Sequence, residues 1–312
     1  MKIAVTGGCG FIGSHTVDLL LENGHEIVVY DNLSTGSPEN LGKGAVFYEG
    51  DITDRTQLDA FFTRVKPDAV MHMAAQIDVM ASMTNPSYDA TVNIMGTINL
   101  LDFCRKNNVK RFVYSSSAAV YGNPEYLGVD EEHPKNPESF YGYSKLVPEN
   151  YIKLISESCG MTYGLIRYAN VYGPRQRVEG EGGVVAVFTD RMKRNKECFI
   201  YGDGEQTRDF IYVKDIAHAN ARALESTRCF TVNASTAKAI SVNSLYNIMK
   251  KQYACTKEPK YKPARSGDIT HSWLTNNLIR NELNWIPEYN LESGIKEMAA
   301  NYDKQGTIKK AH

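Results

Sequence analysis

Over the first 170 residues, short and continuously apolar runs alternate with longer amphipathic stretches. The apolar runs are predicted as β-strands over 2–6, 25–31, 45–51, 68–75, 110–117 and 162–170. The amphipathic stretches are predicted as helices over 11–23, 55–65, 87–106 and 141–158. Because the strand runs are apolar throughout and alternate with helices, they indicate a parallel sheet that is covered on both faces. The predicted fold class is α/β, with a doubly wound parallel sheet.

The pattern changes after about residue 172. Helices are predicted over 184–194 and 213–226, joined by shorter strands and by turn-rich segments such as "YGDGEQTRD". We therefore predict a first domain over 1–172 and a smaller C-terminal α/β domain, which binds substrate, over 173–312. Because no low-complexity linker separates the two domains, they are expected to pack closely, with some return of the chain to the first.

Composition and charge are those of an ordinary globular protein. Hydrophobic residues make up 42% of the 312 residues and charged residues 23%, which argues against disorder. The 35 basic residues nearly balance the 36 acidic ones, so neither a nucleic acid nor a membrane is expected as a partner. The six cysteines have no metal-binding spacing, and no metal site is predicted. Since the sequence shows no signal peptide and no long apolar span, we expect a cytoplasmic protein.

The segment "VTGGCGFIGSH", residues 5–15, follows the first strand and contains two glycine motifs at once. Gly8, Gly10 and Gly13 spell G-x-G-x-x-G, whereas Gly7, Gly10 and Gly13 spell G-x-x-G-x-x-G. Either motif lets the backbone approach a pyrophosphate at a helix N-terminus, where free N–H groups and the helix dipole favour an anion. For the motif alone, a glycine-rich turn without a ligand is the simpler alternative.

Asp31, at the end of the second strand, favours a bound dinucleotide. It comes 18 residues after Gly13, where a carboxylate can accept hydrogen bonds from the ribose hydroxyls of adenosine. The following residues, "NLSTG", contain no Arg or Lys that could hold a 2′-phosphate. The sequence therefore predicts a Rossmann domain that binds NAD in preference to NADP.

The segment "FYGYSKL" carries a candidate catalytic pair. Tyr141 and Lys145 are four residues apart and so share one face of a helix. A lysine ammonium within ~4–6 Å lowers the pKa of a neighbouring acid by roughly 1–3, which brings a tyrosine towards general acid–base work at neutral pH. Tyr143 lies on another side of the helix and is the poorer candidate. A surface tyrosine and lysine at helical spacing is the commoner alternative.

Three serines end the fifth predicted strand. Ligands of parallel sheets bind beyond the carboxyl ends of the strands, so these hydroxyls are expected at the crevice. Ser115 and Ser117 face one side of the strand and Ser116 the other. A hydroxyl here could hydrogen-bond the reacting oxygen of a substrate, whereas a turn-forming serine cluster is the alternative.

The motifs of the chain occur in the order typical of the extended short-chain dehydrogenases/reductases. They are TGGxGFIGSH, the acidic position of Asp31, "GDITD", "HMAAQ", "VNIMGT", "SSSAAVYG", YxxxK, "RYANVYGPRQ", "YGDGEQTRDF" and "RSGD". The match covers nearly the whole chain, which within that superfamily most resembles the UDP-glucose (UDP-hexose) 4-epimerases. The resemblance implies that C4 of a UDP-hexose gives a hydride to NAD, that the 4-keto sugar turns over, and that the hydride returns to its other face. NAD would be regenerated in each cycle and could remain bound.

The resemblance also assigns catalytic roles. Tyr141 would be the base, Lys145 its partner and an anchor of the NAD ribose, and Ser117 the hydroxyl that assists at the 4-oxygen of the sugar. Dehydratases and decarboxylases of this superfamily need a further acid or base just after the serine, where this chain has Ala118 and Ala119. A UDP-glucuronate 4-epimerase and a nucleotide-sugar 4-ketoreductase remain open alternatives. A non-enzymatic NAD(H)-binding regulatory protein is a third, against which the intact catalytic set argues.

The catalytic pair decides between the two glycine motifs. Gly7, Gly10 and Gly13 are the expected working set, and Gly8 is expected to serve turn geometry. Ile77 stands where related epimerases carry a lysine near the cofactor phosphates. With 1–172 as the NAD-binding domain, the expected cofactor-binding residues are Gly7, Gly10, Phe11, Ile12, Gly13, Asp31, Asn32, Ser34, Thr35, Gly36, Asp51, Ile52, Met73, Ala74, Ala75, Gln76, Asn93, Ser115, Tyr141, Lys145, Tyr168 and Ala169.

The resemblance places the nucleotide sugar against the second domain, 173–312. Arg208 and Arg265 suit a diphosphate through forked hydrogen bonds, and Asp268 suits the uridine ribose. The expected substrate-binding residues are Ser117, Tyr141, Asn170, Gly183, Val184, Phe199, Ile200, Tyr201, Arg208, Arg265, Asp268 and Ser272.

Ser272 bears on which hexose is accepted. It comes four residues after Asp268, where epimerases confined to plain hexoses tend to carry tyrosine and those that accept N-acetylhexosamines carry a small residue. We therefore expect UDP-GlcNAc and UDP-GalNAc to be accepted beside UDP-glucose and UDP-galactose. An alignment shifted by one residue would put the bulky His271 there instead.

The resemblance also implies a homodimer. Relatives pair their two long helices with those of a second copy in a four-helix bundle, and the corresponding helices here are 87–106 and 141–158. The expected partners are therefore a UDP-sugar and a second copy of the chain.

Overall fold

The structure, a computed structural model, describes residues 1–178, 183–264 and 269–309. In chain order, the first elements are β1 Lys2–Thr6, α1 Phe11–Glu22, β2 Glu26–Asp31, β3 Val46–Glu49, α2 Arg55–Val65, β4 Ala69–His72, α3 Val79–Thr84, α4 Pro86–Ala90, α5 Gly96–Lys106, β5 Arg111–Ser117, α6 Phe140–Cys159 and β6 Thr162–Tyr168. They are followed by β7 Asn170–Tyr172, α7 Val184–Lys193, β8 Phe199–Tyr201, β9 Thr207–Arg208, β10 Phe210–Tyr212, α8 Val213–Glu225, β11 Phe230–Ala234, β12 Ile240–Ser241, α9 Val242–Gln252, β13 Lys260–Lys262, α10 Asn277–Leu283 and α11 Leu291–Lys309.

Seven parallel strands form the central sheet, in the order β11-β6-β5-β4-β1-β2-β3. The strand order reverses between β1 and β4, so a crevice opens at the carboxyl ends of these two strands. All four residues of β4 are buried, as the continuous apolar run predicts for a strand covered on both faces. The predicted doubly wound parallel sheet is confirmed.

The run predicted as one strand over 162–170 forms two. β6 pairs with β5 in the central sheet, whereas β7 pairs with β10 in a separate two-stranded sheet. Tyr168 and Ala169 on one side of the break and Tyr172 beyond it are all buried, so the sequence pattern does not show where β6 ends and β7 begins. The seventh strand of the central sheet, β11, comes from the second half of the chain and pairs with β6.

The helix predicted over 87–106 is interrupted and is preceded by a short helix that the pattern did not predict. A π-helical turn, Thr91–Met95, separates α4 from α5. The additional helix α3 begins after Asp78, whose carboxylate accepts hydrogen bonds from the backbone N–H groups of Met80 and Ala81. Among the described residues, no helix is both long and apolar enough to cross a membrane.

Candidate active site and cofactor site

The glycine turn between β1 and α1 has no room for side chains at two positions. Gly7 has a left-handed φ of +70°, and a Cβ there would lie 2.6 Å from the backbone nitrogen of Ala74. A Cβ on Gly13 would overlap the carbonyl oxygen of Gly7. The turn therefore packs its own backbone tightly and leaves the first N–H groups of α1, which begins at Phe11, facing a cavity. Such an arrangement suits a pyrophosphate.

Gly8 does not serve turn geometry, and that prediction was wrong. Its φ is not left-handed, and a Cβ there would meet both methyl groups of Val29 at 2.8 Å. Gly8 is instead small because the turn packs directly on strand β2. The left-handed residue of the turn is Gly7.

A cavity of about 410 Å³ lies over this turn at the crevice of the sheet, and we call it the glycine-turn cavity. Most of the predicted cofactor-binding residues line it, namely Gly7, Gly10, Phe11, Ile12, Gly13, Asp31, Asn32, Ser34, Thr35, Asp51, Ile52, Met73, Ala74, Ala75, Gln76, Ser115, Tyr141, Lys145 and Tyr168. Ile77 lines it too, beside residues that the sequence did not single out, such as Tyr88 and Ser116.

The two carboxylates at the far end of this cavity are held by hydrogen bonds. Asp31 is buried and accepts from the backbone N–H groups of Cys9, at 2.9 Å, and Leu33, at 2.8 Å. Burial raises the pKa of Asp31, and these two hydrogen bonds oppose the rise. Asp51 accepts from the side-chain amide of Asn32 at 2.8 Å. Together with the tight glycine turn, a fixed carboxylate at the end of β2 fits the adenosine ribose of NAD.

Three predicted cofactor-binding residues do not line the glycine-turn cavity. Asn93, in the π-helical turn, is buried behind its wall: its side chain accepts from the N–H of Gln76 and donates to the carbonyl of Gln76, both at 2.8 Å. Asn93 therefore fixes the wall and does not face the cavity. Gly36 lies in an adjoining recess, and Ala169 lines the neighbouring cavity described below.

The candidate catalytic pair lies on the first turns of α6. Lys145 is buried, and its ammonium donates to the carbonyl of Ser115 at 2.8 Å. Burial lowers the pKa of Lys145 to about 8. The N–H of Tyr141 donates to the hydroxyl of Ser82, on the unpredicted helix α3, at 3.1 Å. Tyr143 is 53% exposed and lines neither cavity.

The three serines of β5 have separate surroundings. Ser115 donates its hydroxyl to the carbonyl of His72 at 3.1 Å, within the sheet. Ser116, which the sequence did not select, lines both cavities and donates to Glu149 at 2.6 Å. The hydroxyl of Ser117 accepts from the N–H of Ala119 at 3.2 Å. Its own proton can therefore be donated to a substrate oxygen.

A second cavity, of about 480 Å³, lies beside the first, and we call it the C-terminal cavity. The predicted substrate-binding residues that line it are Ser117, Tyr141, Asn170, Gly183, Val184, Phe199, Ile200, Tyr201 and Arg208. Arg265 and Asp268 lie outside the described residues. Ser272 does not line this cavity: its N–H donates to the carbonyl of Thr207 at 3.1 Å. Gln176 and Gln206 line it without having been predicted.

The far wall of the C-terminal cavity is an aromatic ring flanked by cations. The ammonium of Lys262 lies 3.8 Å from the ring centre of Phe199, and the guanidinium of Arg191 lies 5.0 Å from it. Arg208, on β9, is itself among the lining residues, whereas Lys262 and Arg191 contact the Phe199 ring without lining the cavity. Cations beside an aromatic face suit a base that stacks and an anion that is attached to it.

The side chains that could bind metals are dispersed. No group of three or more His, Cys, Asp or Glu residues that could hold a metal ion occurs among the described residues. The six cysteines are free thiols, and burial, followed by the nearby Asp31 carboxylate, raises the pKa of Cys9 to about 12. A thiol with so high a pKa is a poor nucleophile.

Comparison with known proteins gives consistent matches over the chain. The sequence model of the NAD dependent epimerase/dehydratase family matches residues 3–233. The UDP-glucose 4-epimerase of Mycolicibacterium smegmatis is 37% identical, covering 95% of this chain and 96% of that protein. The crystal structure of UDP-glucose 4-epimerase with UDP-glucose from Thermotoga maritima has a TM-score of 0.95 and 42% identity, covering 98% of this chain and 99% of that one. The UDP-N-acetylglucosamine 4-epimerase from Methanobrevibacter ruminantium has a TM-score of 0.92 and 34% identity, covering 97% and 98%.

Proposed function

Because the chain belongs to the NAD dependent epimerase/dehydratase family, and within it to the UDP-glucose 4-epimerases, we propose that it interconverts UDP-glucose and UDP-galactose with NAD as its cofactor. The observation that carries the proposal is the position of Tyr141, which lines both the glycine-turn cavity and the C-terminal cavity. One phenol can therefore face the reacting end of a dinucleotide and the sugar of a nucleotide sugar.

In this proposal the chain's own residues move the proton. When bound, NAD would accept a hydride from C4 of the sugar, which leaves a ketone at C4, and would then return the hydride to that carbon. Tyr141 takes the proton of the 4-hydroxyl and returns it from the same phenol. The ammonium of Lys145, held by the carbonyl of Ser115, stabilises the phenolate. Ser117 donates a hydrogen bond from its hydroxyl to the 4-oxygen and keeps its proton.

The nucleotide end of the substrate would occupy the C-terminal cavity. Phe199 offers a ring on which uracil can stack, and Arg208 is placed to pair with a diphosphate. Arg265 and Asp268, outside the described residues, remain proposed contacts of the diphosphate and of the uridine ribose.

The test uses purified protein and UDP-galactose without added NAD. We expect UDP-glucose to form, and Tyr141→Phe to lower the rate by about 10²–10⁴-fold because the acid–base group is removed. Tyr143→Phe, which changes an exposed ring two residues away, is the matched control and should leave the rate within about twofold. Absence of conversion by the wild type, also after NAD is added, would refute the proposal and favour a non-enzymatic NAD(H)-binding protein.

We further propose that UDP-GlcNAc and UDP-GalNAc are substrates. The support is a structural relative named as a UDP-N-acetylglucosamine 4-epimerase; the small side chain of Ser272, which does not itself line the C-terminal cavity, adds only the expectation drawn from the resemblance. A substrate panel with UDP-glucose, UDP-GlcNAc and UDP-glucuronate decides among the alternatives. We expect Ser272→Tyr to lower the rate on UDP-GlcNAc at least tenfold more than the rate on UDP-glucose. An equal effect on both would contradict the argument from side-chain size, and turnover of UDP-glucuronate alone would favour the uronate 4-epimerase.

We propose that the chain forms a homodimer through helices α3 to α6. The support is the number of exposed apolar side chains on these helices, among which Met80 is 71% and Leu154 is 66% exposed, since exposed apolar surface is typical of interfaces. Leu154→Asp should shift sedimentation towards the monomer. Ile286→Asp, at a similarly exposed site (60%) outside these helices, should not. A wild type that sediments as a monomer would contradict the proposal.

We propose the cytoplasm as the location. The support is the set of six free thiols, which suits a reducing compartment. Fractionation of the cell should find the protein with soluble cytoplasmic markers.

A further inference from the structure

The carboxylate of Asp89, on the short helix α4, is buried behind the wall of the glycine-turn cavity. Its Oδ1 accepts from the side-chain amide of Gln76 at 2.8 Å and from that of Asn93 at 3.2 Å. Its Oδ2 is also buried and has no hydrogen-bond partner among the described residues. The two amides fix the carboxylate but bring no positive charge, and a buried carboxylate without a counter-charge is costly.

The ammonium of Lys145 is a buried charge in the same situation. Within the described part of the chain its one hydrogen bond goes to the carbonyl of Ser115, at 2.8 Å. An ammonium has three donors and a full positive charge, so a single carbonyl leaves most of that charge uncompensated. Asp89 and Lys145 are therefore opposite charges in one buried region, and the hydrogen bonds of both go to neutral groups.

A short chain of hydrogen bonds connects Asp89 to the helix that carries Lys145. The amide of Asn93, which donates to Asp89, also donates to the hydroxyl of Ser144 at 2.9 Å. The hydroxyl of Ser144 in turn donates to the carbonyl of Tyr141 at 3.1 Å. Because Ser144 directly precedes Lys145 on α6, and α4 packs against α6, the position of the carboxylate is fixed relative to the catalytic pair.

Three other titratable side chains lie near the ammonium of Lys145, and none of them supplies a free negative charge. Burial, followed by the charge of Lys145, lowers the pKa of His72 on β4 to about 3, so its imidazole is neutral. Burial raises the pKa of Tyr114 on β5, whose ring centre lies 5.0 Å from the ammonium. Glu149, one turn further along α6, is balanced by its ion pair with Arg167. The remaining anion is the carboxylate on α4.

We propose that Asp89 is a positioning residue that acts through Lys145, by keeping the buried ammonium protonated while the enzyme works. The inference rests on the proposed function, in which Lys145 stabilises the phenolate of Tyr141. Burial lowers the pKa of Lys145 to about 8, and the charge of Asp89 opposes this fall. Without the carboxylate, the ammonium would lose its proton at a lower pH, and the phenolate would lose its stabilising charge there.

The test is the pH dependence of UDP-galactose conversion by the full-length protein with NAD present. Asp89→Asn keeps an oxygen that can accept from both amides and removes the charge. Since a nearby opposite charge shifts a pKa by roughly 1–3, we expect the falling limb of the profile to move down by about one pH unit. The wild-type limb is expected at about pH 8. The variant should then be about fivefold slower than the wild type at pH 8 and within about twofold of it at pH 6.

Two further variants separate charge from structure. Asp215, on α8, is also buried and also accepts two hydrogen bonds, from backbone N–H groups. Asp215→Asn is therefore the matched control and should leave the limb where it is. Adding Asp89→Asn to Lys145→Met should change the rate less than about twofold at every pH, because no ammonium remains for the carboxylate to act on. If Asp89→Asn does not fold, Asp89→Ser, which is smaller and equally neutral, must show the same displacement of the limb.

The position of the limb and the activity of the wild type report on different claims. A limb at the wild-type pH in Asp89→Asn, a loss of rate that is equal at pH 6 and pH 8, or a further loss in the Lys145→Met background would each overturn the inference. These results would show that Asp89 only supports the cavity wall, while conversion by the wild type would leave the proposed epimerase standing. If the wild type converts no UDP-galactose, the proposed function and this inference fall together.

Discussion

Replacing Glu149 by glutamine should destabilise this fold strongly, because it leaves a buried guanidinium without its counter-charge. Glu149 and Arg167 are each 1% exposed. The guanidinium donates to both carboxylate oxygens, at 2.9 and 2.6 Å, and Ser116 donates to the same carboxylate at 2.6 Å. Burial lowers the pKa of Arg167, but the hydrogen bonds to Glu149 outweigh it and raise the pKa above its ordinary value.

The size of the effect follows from the burial of the pair. Removing one partner of a buried ion pair costs about 3–5 kcal/mol, since the other charge stays in the interior. At ~2.1 cal/mol/K per residue, the unfolding entropy of 312 residues is about 0.7 kcal/mol/K. Glu149→Gln should therefore lower the melting temperature by roughly 4–7 °C.

The assay is thermal unfolding of Glu149→Gln, of the single variants Glu149→Leu and Arg167→Met, and of the double variant that combines these last two. Glu149→Leu and Arg167→Met should each lose several degrees, whereas the double variant should lose much less than their sum because no charge remains buried. Glu26→Gln, in the exposed pair with Lys2, is the control and should move the melting temperature by about 1 °C or less. A melting temperature of Glu149→Gln within 1 °C of the wild type, or simple additivity of the single variants, would refute the reasoning.

Lys145, Gly13 and Asn93 form or support the wall of the glycine-turn cavity, and each can be tested by substitution. Because burial lowers the pKa of Lys145 to about 8, its ammonium is lost as the pH rises through that value, so turnover should fall above about pH 8; Lys145→Met should be slow throughout and lack this limb of the pH–rate profile. Gly13→Ala places a methyl group on the carbonyl oxygen of Gly7 and should cost about 1–3 kcal/mol, visible as a lower melting temperature and less NAD retained on gel filtration; an unchanged NAD content would contradict the tight turn. Asn93→Ala removes the hydrogen-bond partners of the backbone N–H and carbonyl of Gln76 and should lower the free energy of unfolding by about 1–3 kcal/mol. A melting temperature equal to that of the wild type would show that these two hydrogen bonds do not stabilise the cavity wall.

Local pattern was sufficient to predict six of the seven strands of the central sheet and several helices. Helix α2 begins and ends at the predicted residues, with the Asp54 carboxylate accepting from two N–H groups at its start. The four-residue spacing of Tyr141 and Lys145 places both on α6 and at one cavity, because helical periodicity depends only on neighbouring residues. The same periodicity could not show the π-helical turn of Thr91–Met95, since the apolar positions continue across it.

Local sequence was enough for features that depend on neighbouring residues: most strands and helices of the first 170 residues, the glycine turn, the carboxylate at the end of β2 and the catalytic spacing. Tertiary structure alone decided which distant segments meet. It paired β11 with β6, joined Ser116 to Glu149, and set Arg177 against Thr35, 142 residues away. Local periodicity reports which face of an element is apolar, whereas contacts between loops depend on how the whole chain packs. For that reason the four-residue spacing of Tyr141 and Lys145 said nothing about the carboxylate of Asp89, which the fold buries behind the wall of the same cavity.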